Sequence, residues 1–252
     1  MSPTRTVAAR RATAWAACLL VFAGAGAGLG AGVAGADDNG IADKEAPAVA
    51  DAARKAMSKV TAMRMAAKVT DGSGTIALDL RFDEGGNCVG TVEPAGGSGA
   101  AEVIKRGDDV WMKLDDELLR AQVPGPAAED AIALVNGRYV HGTTKSPVLS
   151  EFAEFCDLDF FKEQFTAKPT NEQLTKGSRT TVDGRPAITL TSRRDGETGS
   201  FQVSTQDEPY LLRIQGTDTS GQRLDATFSA FDEAVPAKPP APADSIDLSQ
   251  LQ

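Results

Sequence analysis

Histidine is almost absent from this chain. His141 is the single one in 252 residues, and no cysteine or second histidine stands at metal-ligand spacing from it, so a zinc constellation is excluded and His141 is expected as a strand residue near a loop. The serine-hydrolase elbow is missing too, because Gly96-Gly97-Ser98-Gly99-Ala100 lacks the last glycine of G-x-S-x-G and reads as a hairpin turn. No phosphate-binding glycine loop leads into a helix. Aromatic platforms for sugars are scarce, with two tryptophans (Trp15 and Trp111) and two tyrosines. Carboxylates are plentiful, densest at Asp115-Asp116-Glu117 and at Glu151/Glu154, but a charged turn and a solvated helix face explain both groups without a glycosidase pair. Neither catalytic residues nor a metal or cofactor is expected.

Basic charge is also in deficit, with 26 Lys and Arg against 35 Asp and Glu and a net charge of −9. Three of those arginines, Arg5, Arg10 and Arg11, form a basic head followed by an apolar run from Ala12 and by Ala34-Gly35-Ala36, the small-x-small pattern of a secretory signal. Removing residues 1–36 leaves 216 and shifts the net charge from −9 to −12. A surface that negative repels phosphate backbones, which excludes nucleic acid as a partner and disfavours anionic headgroups bound by charge alone. The working protein is expected outside the cytoplasmic membrane, soluble after cleavage near Ala36, as one domain. An uncleaved anchor over Ala12–Ala36 is the alternative, weakened by its many glycines.

Cysteine is scarce in an informative way. Cys18 falls within the signal and is a poor lipidation site, since Leu19-Leu20-Val21-Phe22 continues the apolar run after it. The remaining pair, Cys88 and Cys156, meets an oxidising compartment and is expected to form a disulfide rather than two separate buried thiols.

What the chain does have is periodicity. Residues 37–44 are polar and read as a flexible leader. Val49, Ala52, Ala53, Ala56, Met57 and Val60 then recur at three- and four-residue intervals, an amphipathic helix opened by Pro47 with a stripe of small side chains. From Met63 the period becomes two, clearest in Ile76, Leu78, Leu80 and Phe82. Turn signals at Glu84–Asn87, Gly96–Gly99 and Gly107–Asp109 separate four short strands of an antiparallel meander. Pro124–Val135 reads as a short helix, Arg138–Thr143 as a strand, and helical stretches open at Ser146-Pro147 and Asp157. Phe152, Phe155, Phe160, Phe161 and Phe165 put five of the ten phenylalanines into this span. Five further strands follow between Ser178 and Phe231, for eight to ten in all. Pro236–Pro242 is expected as an extended strap, continuing to Asp244, that returns Ile246-Asp247-Leu248 to the body.

This order resembles the LolA-like lipoprotein carriers, and more narrowly the actinobacterial LppX and LprG group. The resemblance rests on the helix Asp51–Val60 feeding a strand, the ladder from Cys88 through Val110-Trp111-Met112-Lys113, the Gly137-Arg138-Tyr139-Val140 strand and the closing Pro242–Leu248. It spans most of residues 43 to 250, with the single domain placed at 45–250, and implies an α+β fold, a curved antiparallel half-open barrel whose concave side is covered by helices. The function it implies is a non-catalytic carrier that holds a lipid or other amphiphile in an apolar cavity. Candidate lining residues are Leu78, Leu80, Phe82, Val110, Met112 and Leu114 from strands, with Phe160, Phe161 and Phe165 from the cover; the same residues equally form a solid core. The lipidated cysteine usual in the family after the apolar segment is missing, so a soluble shuttle fits better than a tethered one. Two other readings stay open: a protein-interaction or envelope-stress sensing module whose partner is a membrane protein, and a secreted hydrolase.

Overall fold

Pro47 in the first turn and Arg54 and Lys55 in the last suit the two ends of helix α1 (Ala46–Met57). The computed structural model describes residues 38–250 except 147–148, 151–152, 154 and 168–171; the segment expected to be a signal, with Cys18, and Glu151, Phe152 and Glu154 lie outside the described residues. Helix α1 buries Val49, Ala50, Ala53, Ala56 and Met57, and its alanines let the backbone lie close to a sheet. The polar segment before it differs from a free leader. Ile41 and Ala42 are buried in a short 3-10 turn, and the Asn39 amide donates to the Thr205 carbonyl.

Among the described residues, twelve strands form one sheet that does not close. They are β1 (Ala62–Asp71), β2 (Gly74–Asp83), β3 (Cys88–Glu93), β4 (Ala101–Arg106), β5 (Asp109–Leu114), β6 (Tyr139–Thr143), β7 (Gln173–Val182), β8 (Arg185–Arg194), β9 (Glu197–Ser204), β10 (Leu211–Thr217), β11 (Arg223–Ser229) and β12 (Ser245–Asp247). Their spatial order is β12-β6-β5-β4-β3-β2-β1-β11-β10-β9-β8-β7, so the pairing of β1 with β11 joins the first meander to the second. Every pairing is antiparallel except β12 with β6. That departure from an all-antiparallel sheet follows from the path of the proline-rich strap. Glu233 pairs with Arg81, Val235–Pro239 pass Asn87 and Arg106, and the chain then enters beside β6 running the same way.

Period-two alternation places one residue in two on the concave face. Read across the register, Leu190, Phe201, Ile214, Ala226, Ala67, Leu78 and Val92 form one row. Phe228, Met65, Leu80, Gly90, Val103 and Met112 form another. Gly90 is required there: its φ is +153°, and a Cβ would overlap the Asp79 carbonyl. Three more helices accompany the sheet among the described residues: α2 (Asp116–Gln122), α3 (Ala127–Val135) and α4 (Leu158–Thr166). Helix α2 explains the acidic cluster noted above, because Asp115 is its N-cap and accepts from the Leu118 amide at 2.8 Å. The disulfide Cys88–Cys156 joins β3 to the segment that leads into α4, with the Cα atoms 5.6 Å apart. Asp157 then caps α4 by accepting from the Asp159 and Phe160 amides.

The convex face carries paired charges. Arg64 holds Asp79 through two bonds of 2.7 and 2.6 Å, and Arg213 holds Asp225 likewise at 2.8 and 2.6 Å. The Arg213 guanidinium keeps the Asp225 carboxyl below its ordinary value. Burial pushes Asp232 the other way, but bonds from Thr61 and Tyr210 outweigh it and lower its pKa. Burial and the neighbouring Asp232 raise the Tyr210 phenol to about 12. A carboxylate depressed in the folded state stabilises the fold fully above its unfolded value, about 3.9, and loses that contribution as pH falls through the lower folded value. The urea midpoint is therefore expected to stay level from neutrality to about pH 5 and to fall below about pH 4. Asp225→Asn should shallow that fall. A wild-type midpoint at pH 3 equal to that at neutrality would refute the assignment.

Candidate functional site

Helices α1 and α4 both lie on the concave face, and a space of about 150 Å³ remains between them and the later strands. Ala50, Ala53 and Met57 border it from α1, Phe165 from α4, Leu174 from β7, Phe201 and Val203 from β9, and Leu211 and Ile214 from β10. On the α1 side its wall is made of the short side chains of Ala50 and Ala53 together with Met57, and Phe201 packs against the cluster that holds Ala50 and Ala53. The rim is polar: Arg54 lies 3.4 Å from Glu172, and Ser192 Oγ donates to the other Glu172 oxygen at 2.7 Å. Both charged side chains are largely buried, at 19% and 11% exposed. With Glu172 engaged on both oxygens, no free base stands beside a nucleophile among the described residues of the cavity wall.

A chain of rings forms the partition between this cavity and the core of the first meander. Phe82 stacks on Phe161 at 5.2 Å, Phe161 on Phe165 at 6.3 Å, and Phe165 meets Phe228 edge-on at 5.0 Å. On the far side of that partition, Leu78, Leu80, Phe82, Val110 and Met112 are buried in one cluster with Cys88, Cys156, Val103 and Leu149, and Leu114 packs against it. Phe160 is 51% exposed and touches Phe161 edge-on at 5.5 Å. Of the nine residues singled out from the sequence, Phe165 borders the cavity; the other eight do not. The strand residues that border it, Leu174, Phe201, Val203, Leu211 and Ile214, come from strands without the clean alternation of β2, since Gln202, Val203 and Ser204 are all buried in β9 and both Leu211 and Leu212 in β10.

His141 lies on the opposite face, stacked on Trp111 at 4.7 Å with Nε2 3.1 Å from Asp109 Oδ1. Among the described residues no group of three or more His, Cys, Asp or Glu is placed to hold a metal ion, and no helix is long and apolar enough to cross a membrane.

No protein-family model matches the sequence, and no curated protein matches it. Among solved structures, LprF from Mycobacterium bovis is similar over 82% of this chain and 100% of its own, at 14% identity and a TM-score of 0.55. The Mycobacterium tuberculosis lipoprotein LppX matches over 76% of this chain and 99% of its own, at 14% identity and a TM-score of 0.47. A LolA superfamily protein from Nitrosomonas europaea matches over 76% and 94%, at 8% identity and a TM-score of 0.27. The likeness to LprF is distant and one of fold: this chain has a LolA-like architecture, an open curved sheet flanked by helices.

Proposed function

We propose that the chain is an extracytoplasmic binding and carrier protein that holds the apolar part of a lipid or other amphiphile without changing it chemically. The observation that carries this reading is the apolar cavity beneath α1 and Phe165. A cavity of about 150 Å³ is known to admit a molecule of benzene size. Burying roughly six carbons at about 0.8 kcal/mol each is worth roughly 5 kcal/mol, which by itself corresponds to sub-millimolar binding. Tighter binding of a longer chain requires more wall. Displacing Phe165 and Phe161 would extend the space to Phe82, Leu80 and Leu78, then towards Val110, Met112 and Leu114, with Phe160 turning with the helix. The signal sequence and the disulfide both fit an oxidising compartment.

Native mass spectrometry of protein purified from its own host should show co-purified lipid. A protein that arrives empty and ignores fluorescent fatty acids would end the proposal. Ile214→Trp, which fills the cavity from a strand position that favours aromatics, is expected to weaken fatty-acid binding by about tenfold or more with little change in melting temperature. Undiminished binding would place the ligand elsewhere.

A second reading has its own observation. Phe155 and Phe160 stand exposed on the helical cover at 37% and 51%, as a contact for a membrane protein would require. A stoichiometric membrane protein recovered with no lipid present would favour that interaction or sensing role over carriage.

A further inference from the structure

Beside the cavity lies a groove of about 310 Å³ over the ends of β8 to β11, and Glu172, Phe201 and Ile214 border both spaces. The register sets the groove floor as Ser192, Gly199, Gly216 and Leu224, one from each strand. Two glycines facing each other inside paired strands weaken a sheet, and such glycines mark a bulge or a place where another body comes close. No bulge is present, since the pairing is regular through Gly199 and Gly216 and the one register shift between these strands lies at Leu211/Arg213. Neither glycine has a positive φ. A Cβ on Gly216 would meet only the Thr198 carbonyl oxygen at 3.4 Å and Gly199 Cα at 3.9 Å, ordinary contact distances. The protein's own packing therefore does not demand glycine at 216. What the missing side chain leaves is open space beside Leu224, itself 37% exposed.

The rim of this groove is charged but already satisfied. Arg194 pairs with Glu197 at 2.8 Å, Glu172 is held by Arg54 and Ser192, and Asp218 accepts from Ser220 and the Gln222 amide. A charged guest would have to break one of these pairs or sit unpaired beside it. Ser192 and Gln222 bring polar side chains to the lining, which Thr198 and Thr217 also border from positions that alternate away from its floor. We infer that the glycine-floored groove is the head-group compartment of the cavity and takes an uncharged, hydrogen-bonding head, a polyol or amide. The inference rests on the carrier reading, which supplies the chain lying in the cavity next door.

The test uses probes that share one chain and differ in the head: octyl glucoside, octyl sulfate and octyltrimethylammonium, titrated below their micelle concentrations, with benzene as a probe of the cavity alone. The wild-type protein is expected to bind octyl glucoside about tenfold more tightly than either charged probe, a difference of about 1.4 kcal/mol. Gly216→Val should abolish that preference while leaving benzene binding and the melting temperature unchanged, and Gly216→Ala should reduce it by less. Equal or tighter binding of a charged probe overturns the inference, as does octyl glucoside binding that Gly216→Val leaves intact; in both cases the carrier reading survives. If benzene binding disappears in both variants, groove and cavity are one space and the inference is also overturned. If wild-type protein binds none of the four probes, the carrier reading itself fails.

Discussion

Replacing both cysteines, as in C88S/C156S, is expected to lower the unfolding free energy by about 4 kcal/mol, the entropy of a closed loop of this length freed in the denatured chain. The bridge spans 68 residues of sequence, and those residues include β4, β5, α2, α3 and β6, so its loss frees a long loop and removes a covalent tie between β3 and the start of α4. Both cysteines are buried, at 0% and 2% exposed, so a reductant should act slowly on the native protein and quickly once urea has opened it. Structure adds a local consequence. Cys156 sits immediately before the Asp157 cap of α4, and the helix carries Phe160, Phe161 and Phe165. Without the bridge, amides of α4 are expected to exchange with solvent faster relative to those of α1, because α1 is fixed by its own cluster with Ile188, Leu190 and Val203. Equal urea midpoints for the double variant and the wild type, or unchanged exchange in α4, would show that the bridge does not hold the aromatic cover.

How far the sequence revealed this fold depends on whether an element has one oily face. Strand β2 is read directly, because Leu78, Leu80 and Phe82 face the core while Asp79 and Arg81 form ion pairs on the other side. Strand β7 begins at Gln173, before the Ser178 start that the pattern predicts, because it is a sheet edge exposed along most of its length and has no buried side to set an alternation. Helix α2 was hidden for a similar reason. Its acidic start reads as solvated charge until the Asp115 cap and the buried Leu118 and Leu119 are seen. The strap was legible from its prolines, yet the parallel pairing of Ile246 with Val140 depends on which end of the sheet it crosses, and composition does not encode that. The cavity was least legible of all. It lies among five elements, α1, α4, β7, β9 and β10, and the local pattern of each does not say where their side chains stop short of one another.

Phe82→Ala and Phe165→Ala are expected to separate the two sides of the ring partition. Phe82 is fully buried and stacked on Phe161, so truncating it should cost about 3–5 kcal/mol in urea unfolding, the usual cost for a phenylalanine removed from a core. Phe165 is only half-buried and already borders open space. Its truncation should cost less, and it should lengthen the cavity towards Phe161 and Phe228. Each further methylene accommodated there is worth about 0.8 kcal/mol, so two should tighten binding by roughly tenfold. A series of fatty acids of increasing length, titrated against both variants, reads this directly: the preferred chain should be longer for Phe165→Ala than for the wild type and unchanged for Phe82→Ala. Should Phe82→Ala move the preferred length as much as Phe165→Ala does, the binding space would lie under the first meander, among Leu78, Leu80 and Met112, and the α1 cavity would be a gap in packing with no ligand of its own.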